Sequence, residues 1–237
     1  IRWAALLLLE HDRPLAPLPL GTANNIVRSF NLPPEPEEIV DGWRRARSRP
    51  FDIGIAHGPW GKRRFIEGVG FGLIGRSIAV IESIDETAAY AYKKPRHKLH
   101  RDLCVVTALA HEMTPIRARV ALDGSDASDE FLLFEMLNIR RAGPGLALAA
   151  RASPSDGRLE VVTATGGQRR RLIATLEARL ADEERIRRLT TRRARAIDLR
   201  LHDAGHLRID DTTELVPAGA KVKIAVQPGA LRFVLPG

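Results

Sequence analysis

Three short segments hold residue types that could do chemistry. The first is Pro19-Leu20-Gly21-Thr22-Ala23-Asn24-Asn25. Gly21 permits a sharp turn and a close backbone approach to a ligand. Thr22 offers a hydroxyl just ahead of a helix predicted over 23–30, with Ala23, Ile26, Val27 and Phe30 on one face. A helix start presents free N–H groups and partial positive charge, which is the chemistry of an anion site. Gly-Thr before a helix is equally the pattern of a plain N-cap.

The second segment is Ser153-Pro154-Ser155-Asp156-Gly157-Arg158-Leu159. An aspartate beside backbone carbonyls supplies hard oxygen donors of the kind magnesium takes. The same residues also make an ordinary Ser-Asp-Gly turn into a strand. The third is Leu207-Arg208-Ile209-Asp210-Asp211, where two carboxylates close a strand predicted over 206–210. A carboxylate there could take the proton of a hydroxyl nucleophile. Two solvated acids in a turn would look the same. Thr212 follows and cannot act as a base near neutral pH, and Glu214 stands two residues beyond it.

Taken together and in this order, the segments resemble the diacylglycerol kinase family and related lipid kinases. The match begins with Pro19 to Asn25, followed by Ile26 and the Leu32-Pro33 stop. It continues through Phe51-Asp52-Ile53-Gly54 and the glycine-rich run Arg64 to Gly72. Ser153 to Leu159 resembles the family's Pro-x-Asp-Gly-x-Leu segment, and Leu207 to Asp211 stands in the place of its Asp-Gly-Glu motif. The resemblance implies phosphoryl transfer from ATP to a lipid hydroxyl, with a catalytic Mg²⁺ arriving with the nucleotide. Gly21, Thr22 and Asn24 would face the phosphates. A structural magnesium would be held by the Asp156 carboxylate and the carbonyls of Ser153 and Arg158. Asp210, helped by Asp211, would activate the lipid hydroxyl.

Three positions depart from the family. In its Asp-Gly-Glu motif Asp211 replaces the glycine and Thr212 the glutamate usually named as proton acceptor, and Asn25 stands where an aspartate is frequent. The family also has a Gly-Gly-Asp-Gly-Thr loop just ahead of the helix with which this chain opens. Ile1-Arg2-Trp3-Ala4-Ala5-Leu6 reads as the inside of a helix with no N-cap, so the chain is expected to be a fragment.

The elements that must position these residues change character along the chain. Residues 1–49 alternate helix, irregular strand and helix, as a remnant of an α/β ATP-binding domain would. Helices are expected over 1–10, 23–30 and 37–47, the last with Ile39, Val40, Trp43 and Ala46 inward. From residue 50 to 237 strands dominate. A hairpin of 51–56 with 64–71 leads into a helix over 72–94, and strands follow at 116–122, 130–139, 158–165, 195–202, 206–210, 221–226 and 231–235. A basic helix from Gln168 to about Leu189 interrupts them. The expected fold is therefore α/β plus β: a partial α/β nucleotide-binding domain followed by an antiparallel β-sandwich. The last strand could return toward the first domain, with ATP in the cleft between the two.

Composition bounds the partners. The 237 residues include 44% hydrophobic and 28% charged positions, enough for a buried core. No apolar run approaches the ~20 residues of a spanning helix. The single cysteine, Cys104, excludes an internal disulfide framework, fits a reducing compartment and is expected in a core. The formal charge of +8 is concentrated in two places. Residues 168–201 hold eleven arginines against five acids, and 92–101 hold five Lys/Arg and no acid. Such patches suit an anionic membrane surface or a solvated face with Arg/Glu pairs. The stretch 93–101 is read as a solvated or membrane-facing loop, and cations around His97 and His100 oppose metal binding there. A cytoplasmic, peripherally membrane-bound enzyme is the expectation, and the sequence admits a homodimer. An NAD-kinase-like enzyme and a non-catalytic lipid- or nucleotide-binding homologue are the rivals. A nucleic-acid binder is disfavoured, since the basic patches lack stacking aromatics.

Overall fold

The computed structural model of the protein describes residues 2–9, 11, 13–87, 94–182 and 189–237. Strands β1 (Arg47–Gly58), β2 (Gly61–Phe65) and β3 (Gly68–Gly72) come first, followed by β4 (Ile116–Leu122), β5 (Ser125–Asp126), β6 (Asp129–Leu137) and β7 (Leu159–Thr165). The last five are β8 (Thr190–Ala194), β9 (Ala196–Leu201), β10 (Gly205–Ile209), β11 (Thr212–Val216) and β12 (Lys221–Leu235). All named strand pairs are antiparallel.

The sheet curls because β6 divides its partners. Its first residues pair with β4, and the rest pair with β3 on one side and β7 on the other. One half then runs β8-β7-β6-β3-β10-β11 and the other β4-β9-β12-β1-β2. Alternating side chains from both halves meet between them. Phe71, Phe134 and Val161 come from one half, and Val120, Leu199 and Ile224 from the other. Phe71 stacks on Phe134 at 5.0 Å between centroids, and Phe131 meets both rings edge-on. This is the expected β-sandwich-like core.

Among the described residues six α-helices flank the sheet: α1 (Arg2–Leu8), α2 (Asn25–Ser29), α3 (Pro36–Gly42), α4 (Leu73–Thr87), α5 (Pro95–Glu112) and α6 (Arg169–Leu180). The last three cover the outer face of the first half through Ile74, Leu103, Val106, Leu172 and Leu176 against Leu133 and Leu137. The N-terminal segment docks elsewhere. Ala5 of α1 and Ile26 of α2 pack on Phe51 of β1 and Phe233 and Leu235 of β12. Fully burying one such phenylalanine is worth roughly 1.5–3 kcal/mol. The last strand does return to the first segment: Leu15 donates to the Arg232 carbonyl at 2.8 Å, and Val234 donates to the Leu15 carbonyl at 2.9 Å.

Several elements differ from expectation for local reasons. Residues 64–71 form two strands, because the backbone breaks at Ile66–Glu67. Residues 221–226 and 231–235 form one strand, whose register against β1 slips between Phe51 and Ile53. The helix expected over 37–47 ends at Gly42, turns through a 3₁₀ segment at Trp43–Arg45 and gives way to β1. Ile39 is buried, but Val40 is exposed. The boundary expected at 49–50 falls inside β1, which runs on through Pro50. The basic stretch read as a loop is the start of α5, with Pro95 in its first turn. Cys104 lies on that helix and is exposed, not in a core. The expected extensions of α4 to residue 94 and of α6 to residue 189 fall partly outside the described residues.

Candidate functional site

The β10–β11 hairpin turns through two residues, Asp210 and Asp211, since Ile209 pairs with Thr212. Asp210 takes the left-handed conformation at φ 54°, which aspartate tolerates better than most residues. That turn aims its carboxylate at the break between β2 and β3. Oδ1 accepts the amides of Glu67 at 2.9 Å and Gly68 at 3.1 Å, and Oδ2 accepts that of Ile66 at 3.0 Å. On the opposite side Asn138 donates from Nδ2 to the Ile66 carbonyl at 3.0 Å, and its amide donates to the Glu67 carbonyl at 2.9 Å. The break thus has its backbone polar groups satisfied from both sides, and Glu67 is fixed in place.

The Glu67 side chain points away from this cradle toward α2. Asn25 Nδ2 donates to Glu67 Oε2 at 3.2 Å and to the Gly143 carbonyl at 3.1 Å. Burial, together with the nearby Asp210, pushes the Glu67 carboxyl up to about 7, against the pull of Asn25 and Arg208. Burial also pushes Asp210 above the ordinary carboxylate range, while the amides of Ile66, Gly68 and Glu67 pull it back. From α1, Arg2 Nε lies 3.5 Å from Asp210 Oδ2, and Arg2 Nη1 lies 3.2 Å from Asp211 Oδ1. The site therefore joins α1, α2, the β2–β3 break and the β10–β11 turn.

Beneath it, the glycine run has a packing reason. Gly70 pairs with Glu135 on one side and Arg208 on the other. Those two side chains meet over the glycine, with Arg208 Nη2 2.5 Å from Glu135 Oε2, both fully buried. A Cβ on Gly70 would stand 2.4 Å from the Glu135 carboxyl carbon. Burial raises Glu135 and Arg208 draws it back down. Arg208 Nη1 also donates to the Asp210 carbonyl at 2.6 Å, so the buried pair supports the turn that carries Asp210.

The structure brings some of the expected site residues together and separates others. Asp210, Asp211 and Thr212 share one turn, but the Thr212 hydroxyl is spent on the Ile209 carbonyl at 3.0 Å. Gly21, Thr22 and Asn24 lie just before α2. Asn24 Oδ1 takes the Gly21 amide at 2.8 Å, and Asn24 Nδ2 donates to the Pro19 carbonyl, so this loop is closed by its own bonds. The helix behind it has only five residues, too short for a strong terminal dipole. Cations come instead from Arg28 Nη1 and Arg179 Nη2, each 3.6 Å from where a Cβ on Gly145 would stand. They stand beside the loop that Asn25 holds through Gly143, and Arg179 Nη1 also pairs with Asp182 at 2.8 Å.

The turn expected to hold magnesium is closed here by contacts of its own. Asp156 Oδ1 accepts the Arg158 amide at 3.0 Å, and its Oδ2 faces Arg193 Nη1 at 3.6 Å. The Ser153 carbonyl faces the Asp156 amide. The turn is secured by Asp52, whose carboxylate accepts the amides of Gly157 and Gly229 at 2.7 Å each. Among the described residues no group of three or more His, Cys, Asp or Glu is arranged to hold a metal.

Glu67 and Asn138 escaped the reading of the sequence. Glu67 stood in plain view inside the glycine-rich run, but only its three-dimensional partners mark it.

Comparison with known proteins agrees with this architecture. The "YegS C-terminal NAD kinase beta sandwich-like domain" profile matches residues 78–235, and the "Diacylglycerol kinase catalytic domain" profile matches residues 1–56. A protein of Pseudomonas aeruginosa (strain UCBPP-PA14), named as a YegS-like lipid kinase, is 28% identical over 224 residues, covering 94% of this chain and 68% of that protein. A diacylglycerol kinase of Mycobacterium tuberculosis (strain CDC 1551 / Oshkosh) is 26% identical over 176 residues, covering 72% of this chain and 53% of that protein. A solved structure from Bacillus anthracis str. Sterne, assigned to the diacylglycerol kinases, shares the fold with a TM-score of 0.70 at 18% identity, covering 94% of this chain and 68% of that one. The chain belongs to the family of the YegS C-terminal NAD kinase beta sandwich-like domain, which matches two thirds of it, and its first 56 residues match the diacylglycerol kinase catalytic domain.

Proposed function

We propose that the protein transfers the γ-phosphoryl group of ATP to the hydroxyl of a lipid such as diacylglycerol. The observation that carries this is the meeting of acidic and phosphate-suited groups at one seam. Glu67 and Asp210 lie on the sheet side, Asn25 and the Gly21–Asn24 loop on the N-terminal side, and Arg28 and Arg179 converge alongside. Phosphoryl transfer asks mainly for positioning and charge neutralisation, which such a seam can supply. Gly21, Thr22 and Asn24 would border the phosphates, and magnesium bound with ATP would neutralise their charge.

The lipid would reach the seam from the α5–α6 side. There a cavity of about 670 Å³ is lined by Arg96, His97, His100 and Arg179 together with Leu99 and Leu103. The packing of α5 on α6 thus joins the two basic patches that lie far apart in the chain. A lining of cations and leucines suits an amphipath drawn from an anionic membrane surface. No helix among the described residues is long and apolar enough to cross a membrane.

The test is a substrate panel with the full-length protein, labelled ATP and Mg²⁺. Diacylglycerol, a sphingoid base and NAD are offered in parallel. Label in the lipid phase alone supports the proposal. Label on NAD alone would transfer the protein to the rival enzyme class, and ATP binding without product would support a non-catalytic homologue.

A further inference from the structure

We propose that Glu67 is the catalytic proton acceptor for the lipid hydroxyl, taking the place that Thr212 leaves vacant. This assignment rests on the lipid-kinase function proposed above. The other acids near the seam are committed elsewhere. Asp210 is buried, its two oxygens hold three backbone amides, and Arg2 faces it. Asp211 lies exposed on the turn and pairs with Arg2. Glu214 is bonded to Arg63 at 2.7 Å. Thr212 has no basic atom and gives its hydroxyl to the Ile209 carbonyl. Glu67 differs from all of these. Its backbone is fixed by Asp210 and Asn138, only Oε2 is bonded among the described residues, and the residue is half-buried with its side chain meeting Asn25 of α2.

The departures at positions 212 and 25 then explain each other. A second carboxylate at position 25 would lie about where Asn25 now donates to Glu67 at 3.2 Å, and two like charges would repel. Asn25 instead donates a hydrogen bond, which orients Glu67 and favours its charged form. The charged groups around Glu67 are Asp210 and Asp211 on the hairpin turn, Arg208 on β10 and, beyond the aspartates, Arg2 on α1. The acids and burial outweigh the cations, so the carboxyl titrates near neutrality, where a general base works best.

In the step, the O–H bond of the lipid breaks and its proton passes to Glu67. The lipid oxygen forms a bond to the γ-phosphorus as the bond to the β–γ bridging oxygen breaks. That oxygen keeps the electron pair and leaves with ADP.

The experiment uses the full-length protein as wild type, Glu67→Gln, Glu67→Asp and Asn25→Asp, with diacylglycerol micelles and ATP. Loss of a general base costs on the order of 10²- to 10⁴-fold, so Glu67→Gln should lower kcat by at least about 100-fold. The KM for ATP should stay unchanged. Wild-type kcat should fall as pH drops through about 7. Asn25→Asp should move that limb to higher pH, and Glu67→Asp should keep a limb at reduced rate. A carboxyl titrating near 7 by infrared difference spectroscopy should vanish in Glu67→Gln, a readout that needs no turnover. Wild type active with Glu67→Gln within a few-fold of it would overturn the assignment and leave the kinase function standing. A wild type that phosphorylates no lipid would overturn the function itself, and the assignment with it.

Discussion

Glu135 and Arg208 form their ion pair directly over Gly70, the residue that pairs with both of their strands. No other residue type leaves room, because a Cβ there would overlap the Glu135 carboxyl group. The pair lies at the base of the turn that presents Asp210, so local stability and site geometry share one foundation.

Removing one partner should therefore be worse than removing both. Arg208→Met leaves Glu135 buried without its cation and is expected to cost about 3–5 kcal/mol. Arg208→Met with Glu135→Leu should regain most of that loss. Urea denaturation of the two variants checks this, and equal destabilisation by both would refute it.

Glu67 gives stability a pH dependence of definite sign. Its folded pKa of about 7 lies above the unfolded value of 4.5, so the folded state holds more protons between those values. Stability contributed at this position is present below pH 4.5 and is lost as pH rises through 7. Glu67→Gln, which cannot ionise, should thus raise Tm relative to wild type at pH 8 and leave it unchanged at pH 4.5. The gain has a ceiling of ~3 kcal/mol for a shift of this size, and solvent access at the partly exposed side chain reduces it. Thermal scans at the two pH values decide the matter, and a pH-independent difference would contradict the shifted carboxyl.

Metal removal should not loosen the 153–158 turn. Asp156 already faces Arg193 and the Arg158 amide, and Asp52 secures the neighbouring backbone. EDTA is expected to leave the melting temperature unchanged in the absence of nucleotide. A clear drop on chelation, restored by Mg²⁺, would show that the turn rearranges around an ion.

Much of this architecture could be read from residues alone, and the exceptions share a cause. The strand at 116–122 was visible in its alternation, and the glycines at 68, 70 and 72 in their spacing. Why Gly70 is glycine was not visible, because Glu135 and Arg208 lie 65 and 138 positions away. The helix α5 hid behind its charges. Leu99, Leu103, Val106 and Ala110 recur at helical spacing, but the cations Arg96, Lys98 and Arg101 at its start read equally as a solvated loop. The strand β11 is short and lies at a sheet edge, so little apolar pattern marks it. Glu67 matters through Asp210, Asn138 and Asn25, which only the fold assembles around it. The contacts of Asp156 with the Arg158 amide and Arg193 are likewise made only in the fold.

The basic cavity between α5 and α6 predicts the behaviour at membranes. Vesicles with a rising fraction of anionic lipid should bind the protein increasingly well, each surface cation near the membrane contributing roughly 1 kcal/mol. Binding should collapse with added salt as the Debye length shrinks from about 10 Å at 0.1 M to about 3 Å at 1 M. Charge reversal at Arg96 and Lys98 on α5 should weaken it. Equal sedimentation with neutral and anionic vesicles would remove the membrane contact from the account.

The most direct test is transfer of label from γ-labelled ATP to diacylglycerol in mixed micelles at pH 8, with wild type and Glu67→Gln run side by side. Labelled lipid from wild type, and at least about a hundredfold less from a folded Glu67→Gln, is the expected result. Equal labelling by both proteins, or none by wild type while ATP still binds, would contradict it.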